Sequence, residues 1–357
     1  YLPYQRPPLS KSFLASNISE QNLLLKKDDF YIKNNIKIIY GNAIKINRNQ
    51  KSILLDDKNI LQYDRLVLAT GTKLNKIKNN NLNSKILYLK NINDAINIKK
   101  SMLSAKKICI IGGGYIGLEI ASIAIKKGLK VKIIESEDRI MKRVACKEIS
   151  HFLETKHKSY GVDIILNNSV QNINKENKLN RITLNNNKSL FCDLVIGAIG
   201  IKPNDELAKD CGLECENGIN VNSHGQTSDN NIFAIGDCSY HPNNILNIKI
   251  RLESVQNAVE QAQAISNFII DKKSEYSSIP WFWSDQYNIK IQMAGISSIS
   301  DNYFIKGSIK KESFSVFYTK EEVIVAIETI NNTKDFIFGK KLISSQNTIS
   351  KKDILSH

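Results

Sequence analysis

Cysteine and histidine are scarce in this sequence of 357 residues, and neither is spaced for metal binding. The six cysteines contain no C-x-x-C pair and no zinc-type quartet, which indicates reduced thiols in a cytoplasmic protein. The closest pair, Cys211 and Cys215, has the setting of a loop that enters a strand, so we predict no redox role for it. The five histidines are predicted to have surface or loop roles, and no metal is expected.

Long apolar runs and signal-peptide patterns are also missing. No apolar stretch approaches the roughly 20 residues that span a bilayer, so no membrane partner is expected. The net charge is +15, but the lysines are scattered, and no zinc-finger or basic-aromatic pattern supports nucleic-acid binding. The charge therefore fits either a composition rich in Lys, Asn and Ile or an acidic partner.

The clearest motif is KICIIGGGYIGLEIA at 107–121. The pattern predicts a strand at Lys107–Ile111, a glycine-rich turn, a helix at Tyr115–Lys127 and a second strand at Val131–Glu135. A G-x-G-x-x-G turn inside such a strand–helix–strand unit is the fingerprint of a dinucleotide-binding site on a parallel sheet. We therefore predict that this part of the chain binds a dinucleotide.

The three glycines of this turn serve different purposes. Gly112 permits the tight turn, Gly114 lets the backbone approach a pyrophosphate, and Gly117 permits close packing of the helix on the strand. The N-terminus of the helix presents its positive end to the phosphates. At the end of the second strand, the Glu135 carboxylate can accept hydrogen bonds from the adenosine ribose.

Acidic residues at this strand end favour NADH over NADPH. A 2′-phosphate would meet Glu135, Glu137 and Asp138 there instead of an arginine cluster. We therefore predict that NADH is the electron donor.

Two segments of the chain resemble one another. YDRLVLATG at 63–71 and CDLVIGAIG at 192–200 each combine an Asp, an apolar strand and a turn that ends in Gly. The two copies are 129 residues apart, so a counterpart of the turn at Gly112 would fall upstream of Tyr1. We expect two domains of similar plan, the first without its own nucleotide-binding strand and glycine-rich turn in this chain.

The later part of the chain predicts further strands. NNIFAIGDCS at 230–239 is a short apolar strand that ends at the Gly236-Asp237 pair, and 254–269 has the pattern of an amphipathic helix. After Pro280, alternating segments indicate a third, mainly antiparallel domain.

These motifs together resemble the FAD-dependent pyridine nucleotide-disulfide oxidoreductases. Within that superfamily they are most similar to the ferredoxin reductases of bacterial oxygenase systems, the group of the putidaredoxin and biphenyl dioxygenase reductases. The segments that carry the resemblance are RPPLSK, YDRLVLATG, IGGGYIGLE, QTSDNNIFAIGDC, RLESVQNAVEQA and PWFWSDQY. The last of these, at 280–287, is the most discriminating.

The resemblance implies an α/β fold with two Rossmann-like dinucleotide-binding domains, as in glutathione reductase, and a C-terminal α+β domain. The implied FAD-binding domain comprises 1–82 and 200–277, the NAD-binding domain 83–199, and the C-terminal reductase domain 278–357. A monomer or a homodimer is compatible with this organisation.

Three residues acquire catalytic roles through the resemblance. The Lys11 ammonium would lie by the isoalloxazine and stabilise negative charge on reduced flavin. Glu119, just past the glycine-rich turn, would approach the nicotinamide, and Trp283 would border the flavin on the side that faces the electron acceptor. The family has an arginine at the position of Lys90; lysine keeps the charge but lacks the planar fork that makes bidentate contacts.

A wider set is implied to bind FAD or NADH. These residues are Arg6, Lys11, Ala43, Ala69, Thr70, Gly71, Lys90, Gly112, Gly113, Gly114, Tyr115, Ile116, Gly117, Glu119, Glu135, Gly200, Gly236, Asp237, Glu253, Ser254, Val255 and Trp283.

The segment LPYQRPPLSKSF contains no cysteine. Disulfide reductases of the superfamily carry a redox-active cysteine in the matching segment, and this one has none. The expected function is therefore electron transfer from NADH through FAD to a small iron–sulfur ferredoxin. Rubredoxin or a quinone is an alternative acceptor, whereas peroxidase chemistry would need a cysteine by the flavin. A redox-sensing flavoprotein like the apoptosis-inducing-factor relatives is an alternative of another class.

Overall fold

A computed structural model describes residues 1–15, 17–78, 85–270 and 273–356. Backbone contacts divide the chain into two compact units. The first unit contains Tyr1–Ile36, Leu74–Ile201 and Ser284–Lys290, and the second contains Lys37–Lys73, Lys202–Trp283 and Ile291–His357. The predicted boundary between 82 and 83 lies outside the described residues, and the domain boundaries stay predictions.

The secondary structure alternates short strands with eight helices among the described residues. The strands are β1 Ala43–Asn47, β2 Ser52–Leu55, β3 Ile60–Gln62, β4 Leu66–Leu68, β5 Thr72–Leu74, β6 Ile86–Tyr88, β7 Lys107–Ile111, β8 Lys130–Ile134, β9 Asp163–Ile165, β10 Val170–Glu176, β11 Leu179–Leu184, β12 Ser189–Cys192, β13 Leu194–Gly197, β14 Ile201–Pro203, β15 Ile219–Asn220, β16 Ile232–Ala234, β17 Ser239–Asn243, β18 Ile248–Ile250, β19 Trp281–Gln286, β20 Ile289–Gly295, β21 Asn302–Ser308, β22 Ser313–Lys320 and β23 Val323–Ile330. The helices are α1 Asp28–Lys33, α2 Ile92–Ser104, α3 Tyr115–Lys126, α4 Lys147–Ser159, α5 Glu206–Asp210, α6 Val255–Ile269, α7 Thr333–Ser345 and α8 Lys351–Ser356.

The first unit is built on a five-stranded parallel sheet in the order β6-β13-β7-β8-β9. Its central strands are buried almost throughout, as expected for strands covered on both faces. A three-stranded antiparallel sheet, β10-β11-β12, adds Ile173, Ile182 and Leu184 to the same apolar core. The predicted strand at Lys107–Ile111 is confirmed, and the predicted helix and second strand are confirmed to within one residue at either end.

The second unit contains several small sheets. Strands β1-β2-β3 are antiparallel, β4 pairs with β16 in parallel, β5 pairs with β14, and β15-β17-β18 form a mixed sheet. Strand β16 is completely buried, which confirms the predicted strand in 230–239. Helix α6 begins after Ser254, whose side chain accepts from the Asn257 backbone N–H and so caps the helix, at the predicted position.

The end of the chain forms a five-stranded sheet in the order β19-β20-β23-β22-β21. Strands β20, β23, β22 and β21 pair antiparallel, as predicted for the segments after Pro280. Helix α7 packs its Phe336 and Ile343 into an apolar cluster with Phe317 and Ile327. The described helices include none that is long and apolar enough to cross a bilayer. The cytoplasmic location stays a prediction.

Candidate functional site

The glycine-rich turn after β7 is tightly packed at two glycines and open at the third. Gly112 has φ +110°, and a Cβ there would lie 2.3 Å from the Ala198 carbonyl oxygen. A Cβ at Gly117 would lie 2.2 Å from the Gly112 oxygen, whereas a Cβ at Gly114 would meet no atom within 4 Å. The geometry thus fits the separate tasks of the three glycines, because only Gly114 leaves space for an approaching group.

The start of α3 fits an anion. Its N-cap is Gly114, which has no side chain with which to cap the first turn, and that turn contains no acidic residue. Tyr115 is half-buried and Ile116 is exposed, so the turn borders solvent. The positive end of a twelve-residue helix therefore faces the open space beside Gly114. This is the fit expected for a dinucleotide pyrophosphate.

Glu135 is attached to the same turn. Its Oε2 accepts from the Gly113 N–H at 2.7 Å, and its Oε1 accepts from the Glu137 N–H at 3.0 Å and from the Ser136 hydroxyl at 3.1 Å. These bonds orient the carboxylate at the end of β8 and leave acceptor capacity for ribose hydroxyls.

The other acidic groups near β8 have a cationic partner. Lys142 Nζ lies 2.9 Å from Glu137 and 3.2 Å from Asp138, and the hydrogen bonds that Lys142 donates to these two carboxylates raise its pKa. Lys142 offsets part of the negative charge of this pair. The predicted preference for NADH therefore depends mainly on Glu135.

The strongest cluster in the first unit surrounds Glu119, which is 2% exposed. Lys11 Nζ lies 2.8 Å from Glu119 Oε1. The Ser284 hydroxyl donates to the same oxygen at 2.6 Å, and the Ser10 hydroxyl donates to Oε2 at 2.5 Å. Lys11 follows the 3₁₀ turn at Pro7–Ser10, and Glu119 lies two residues after the last glycine of the turn, on α3. The fold thus joins two residues whose predicted roles were separate.

Sequence reasoning did not single out Ser10 and Ser284. Both lie inside segments that carry the family resemblance, RPPLSK and PWFWSDQY, so those segments were the available signal. A hydroxyl has no motif of its own, and its role is visible only through its partner.

Arg6 lies beside the unusual Lys90. The Arg6 Nη1 donates to the Lys90 carbonyl at 3.2 Å, and the Lys90 N–H donates to Asp94 at 3.0 Å. A guanidinium therefore lies next to residue 90 although the side chain at 90 is lysine. Gly200 has φ +92°, and its carbonyl accepts from the Asn75 N–H in the same unit.

The segment Ala69, Thr70 and Gly71 is part of the second unit. The Thr70 hydroxyl donates to the Asn204 carbonyl at 2.6 Å, and the Asn204 N–H donates to the Gly71 carbonyl at 2.9 Å. These two bonds fix the turn after β4. Ala43 lies exposed at the start of β1.

The Gly236-Asp237 turn is held by buried hydrogen bonds. The Gly236 N–H donates to Gln261 Oε1 at 2.7 Å, and φ at Gly236 is +69°. Arg251 Nη1 donates to the Asp237 carbonyl at 3.2 Å and to Glu253 at 2.6 Å. The predicted residues Asp237 and Glu253 are thereby linked through Arg251, which the sequence analysis missed.

The start of α6 lies directly after Glu253. Ser254 is its N-cap, and Val255 is 41% exposed. Trp283 lies in β19 with its ring centroid 5.6 Å from that of Trp281.

Two histidines contradict the expectation of surface or loop roles. His157, on α4, is 0% exposed and His241, on β17, is 1% exposed. Burial lowers the pKa of each to about 4. The prediction was wrong for these two residues because a single histidine has no pattern that reports burial. His357 lies outside the described residues.

Two protein families match successive parts of the chain. The family described as pyridine nucleotide-disulphide oxidoreductase matches residues 1–262, and the reductase C-terminal family matches residues 281–356. Among curated relatives, putidaredoxin reductase CamA of Pseudomonas putida is 36% identical, covering 97% of this chain and 84% of the relative. A rubredoxin-NAD(+) reductase of Pseudomonas putida is 34% identical, covering 93% of this chain and 87% of the relative.

Solved structures agree with this assignment. The ferredoxin reductase for the CYP199A2 system of Rhodopseudomonas palustris has a TM-score of 0.96 and 33% identity, covering 99% of this chain and 88% of that one. The covalent putidaredoxin reductase–putidaredoxin complex matches with a TM-score of 0.94 and 34% identity, covering 99% and 87%. The fold expected from the sequence, with dinucleotide-binding domains and a C-terminal reductase domain, is confirmed.

Proposed function

We propose, since the chain belongs to the pyridine nucleotide-disulphide oxidoreductase family, that this oxidoreductase passes electrons from NADH through FAD to a ferredoxin. The observation that carries the proposal is the Lys11–Glu119 ion pair at 2.8 Å. Glu119 belongs to the helix that begins at the nucleotide-binding turn, and Lys11 belongs to the segment implied to border the flavin. One ion pair therefore links the two predicted cofactor sites.

The residues proposed for the pyridine nucleotide lie in the turn after β7, in α3 and directly after β8. The open space at Gly114 and the start of α3 would receive the pyrophosphate, and Glu135 would hold the adenosine ribose. Glu119 would then meet the nicotinamide end from within α3. Glu135 supports NADH as the donor because a 2′-phosphate would bring a second negative charge to it.

The residues proposed for FAD are Arg6, Lys11, Asp237 and Val255. When bound, FAD accepts two electrons from the nicotinamide as hydride and releases them one at a time. Overall, one NADH reduces two one-electron acceptors and yields NAD⁺ and one proton. Lys11 would balance negative charge near the ring, and Trp283 would border it.

The acceptor is proposed to be a ferredoxin because the similar structure from Rhodopseudomonas palustris is named as a ferredoxin reductase. The absence of cysteine from LPYQRPPLSKSF at 2–13 argues against a disulfide substrate. The net charge of +15 would favour an acidic carrier. Rubredoxin is the second candidate, since a rubredoxin-NAD(+) reductase is 34% identical.

An acceptor comparison tests the proposal. We expect NADH to bleach the flavin absorbance of the purified protein in a stopped-flow experiment, and ferredoxin to be reduced faster than rubredoxin or a dithiol substrate. If NADH leaves the flavin oxidised, the proposed function is wrong. If rubredoxin is the faster acceptor, the second candidate replaces the first.

A further inference from the structure

A chain of polar side chains runs from Glu119 through the first unit. The Ser284 hydroxyl donates to Glu119 Oε1 at 2.6 Å, and Gln286 Nε2 donates to the Ser284 oxygen at 3.2 Å. His157 Nε2 lies 2.9 Å from Gln286 Oε1, and the Tyr287 hydroxyl lies 3.0 Å from His157 Nδ1. Three elements of the fold, α3, β19 and α4, supply the first four members.

The pleat of β19 explains why two members come from one strand. Ser284 and Gln286 are two residues apart, so their side chains leave the same face of the strand. Their exposures are 0% and 1%, and His157 is 0% exposed. Buried polar groups of this kind are almost always hydrogen-bonded, and each of these has a partner on both sides. None of them belongs to the predicted cofactor-binding set.

The charge of Glu119 dictates the direction of every bond in the chain. A carboxylate paired with Lys11 can only accept, so the Ser284 hydroxyl must donate to it. The Ser284 oxygen then accepts from the Gln286 amide NH₂, which turns the Gln286 carbonyl toward His157. His157 must therefore carry its proton on Nε2 and accept from the Tyr287 hydroxyl at Nδ1. Burial lowers the pKa of His157 to about 4, so the ring is neutral near pH 7, as this pattern requires.

The far end of the chain is held in place by packing. Tyr287 has φ +56°, a conformation that is uncommon for a bulky residue. Its ring stacks on Tyr160 with a centroid distance of 3.9 Å and an interplanar angle of 4°. Lys126 Nζ donates to the Tyr287 carbonyl at 3.3 Å. The turn between β19 and β20 is therefore attached to the C-terminal ends of α3 and α4.

We propose that Ser284, Gln286, His157 and Tyr287 are positioning residues that hold the Glu119 carboxylate against Lys11 for the reaction with the nicotinamide. This inference rests on the proposed function. All donors point toward Glu119, so each dipole supports its negative charge. The carboxylate cannot rotate without breaking its bond to Ser284, which in turn is tied to Gln286.

The hydrogen-bonded side chains hold Glu119 in position and do not conduct protons. Proton transfer along it would require the Gln286 amide to accept a proton at its oxygen and release one from its nitrogen. Amides do not titrate in the accessible pH range, so the chain is interrupted there for protons. A solvent isotope effect on flavin reduction should consequently be the same in the wild type and in chain variants.

Ser284→Ala tests the proposal in the flavin-loaded protein. We expect the limiting rate of flavin reduction by NADH to fall about tenfold, because one hydrogen bond to a charged group is lost. Affinity for NADH should be unchanged, since Glu135 and the glycine-rich turn are intact. Ser284→Thr keeps the hydroxyl and should restore most of the rate.

Ser315→Ala is the matched control. The Ser315 hydroxyl donates to Asp335 at 2.8 Å, and Lys306 pairs with the same buried carboxylate at 2.8 Å, so the contact has the same chemistry on β22. We expect this variant to reduce its flavin at the wild-type rate. An equal loss of rate in both variants would indicate general destabilisation and overturn the inference.

The tautomer of His157 provides a readout independent of turnover. In protein with ¹⁵N-labelled histidine, we expect His157 to be neutral at pH 7 with its proton on Nε2. In Tyr287→Phe, which retains the ring that stacks on Tyr160, the Nδ1 shift should move because its donor is gone.

The possible failures are distinguishable. A proton on Nδ1 in the wild type, or a Ser284→Ala variant with the wild-type rate, overturns the inference and leaves the proposed function standing. A wild-type protein whose flavin NADH does not reduce overturns the proposed function, and the inference with it.

Discussion

Replacement of His241 by phenylalanine should stabilise the protein most at mildly acidic pH. His241 lies on β17 with 1% exposure, and neither ring nitrogen has a hydrogen-bond partner of good geometry. Burial lowers its pKa to about 4, and the Ser239 carbonyl offsets this only in part. Its ring meets the Tyr276 ring edge-on at a centroid distance of 5.2 Å, a contact that phenylalanine can keep.

The size of the effect follows from the pKa. In the unfolded chain the histidine titrates near 6.5, so between pH 6.5 and 4 the unfolded state binds more protons than the folded state. The folded protein therefore loses stability as the pH falls through this window and keeps it above 6.5. The full loss is about 3 kcal/mol, of which about 2 kcal/mol is reached at pH 5. The His241→Phe variant does not undergo this loss.

Urea unfolding at pH 7 and pH 5 measures the difference. The free energy of unfolding of the wild type should fall more than that of His241→Phe by about 2 kcal/mol between the two pH values. Other titrating groups act equally on both proteins and cancel in the comparison. Equal pH dependence in the two proteins would refute the reasoning, because it would mean that His241 is protonated as easily in the folded state as in the unfolded chain.

Further predictions concern the nucleotide turn and the acceptor. Gly114→Ala should fold normally but bind NADH about tenfold more weakly, because its Cβ enters the open space proposed for the pyrophosphate. Gly117→Ala should lose about 1–3 kcal/mol of free energy of unfolding in urea, because its Cβ clashes with Gly112. Equal stability of the two variants would contradict this. Glu135→Arg should weaken the preference for NADH, as measured by kcat/KM with NADH and NADPH, and unchanged ratios would refute the cofactor assignment. Ferredoxin reduction should slow as the salt concentration rises, because screening weakens the attraction between the positively charged protein and an acidic carrier. A rate that does not depend on salt would show that the positive charge does not help to bind the carrier.

Local patterns in the sequence were sufficient to predict the strand–helix–strand unit of the nucleotide-binding turn and the C-terminal strands. Strand β7, helix α3 and strand β8 were predicted to within one residue at either end, because their apolar periodicity and glycines are local properties of the chain. Gly112, Gly114 and Gly117 could be given separate tasks because the spacing of this motif has one geometric solution.

The partners of Glu119 could not be predicted in the same way. Ser10 is 109 residues from Glu119 and Ser284 is 165 residues away, and no periodicity links them. The burial of His157 was missed for the same reason, since its neighbours Gln286 and Tyr287 come from a distant strand and turn. These contacts depend on how separate elements pack.

The sequence by itself therefore determined the dinucleotide fingerprint, the family resemblance and the residue types available for electron transfer, because these depend on short-range spacing. The tertiary structure alone decided that Lys11 and Glu119 form one ion pair, and that Ser284, Gln286 and His157 continue from it as a buried chain. The physical reason is that a buried charge requires donors from whichever elements surround it. The strand order and the packing of α3, α4 and β19 select those elements.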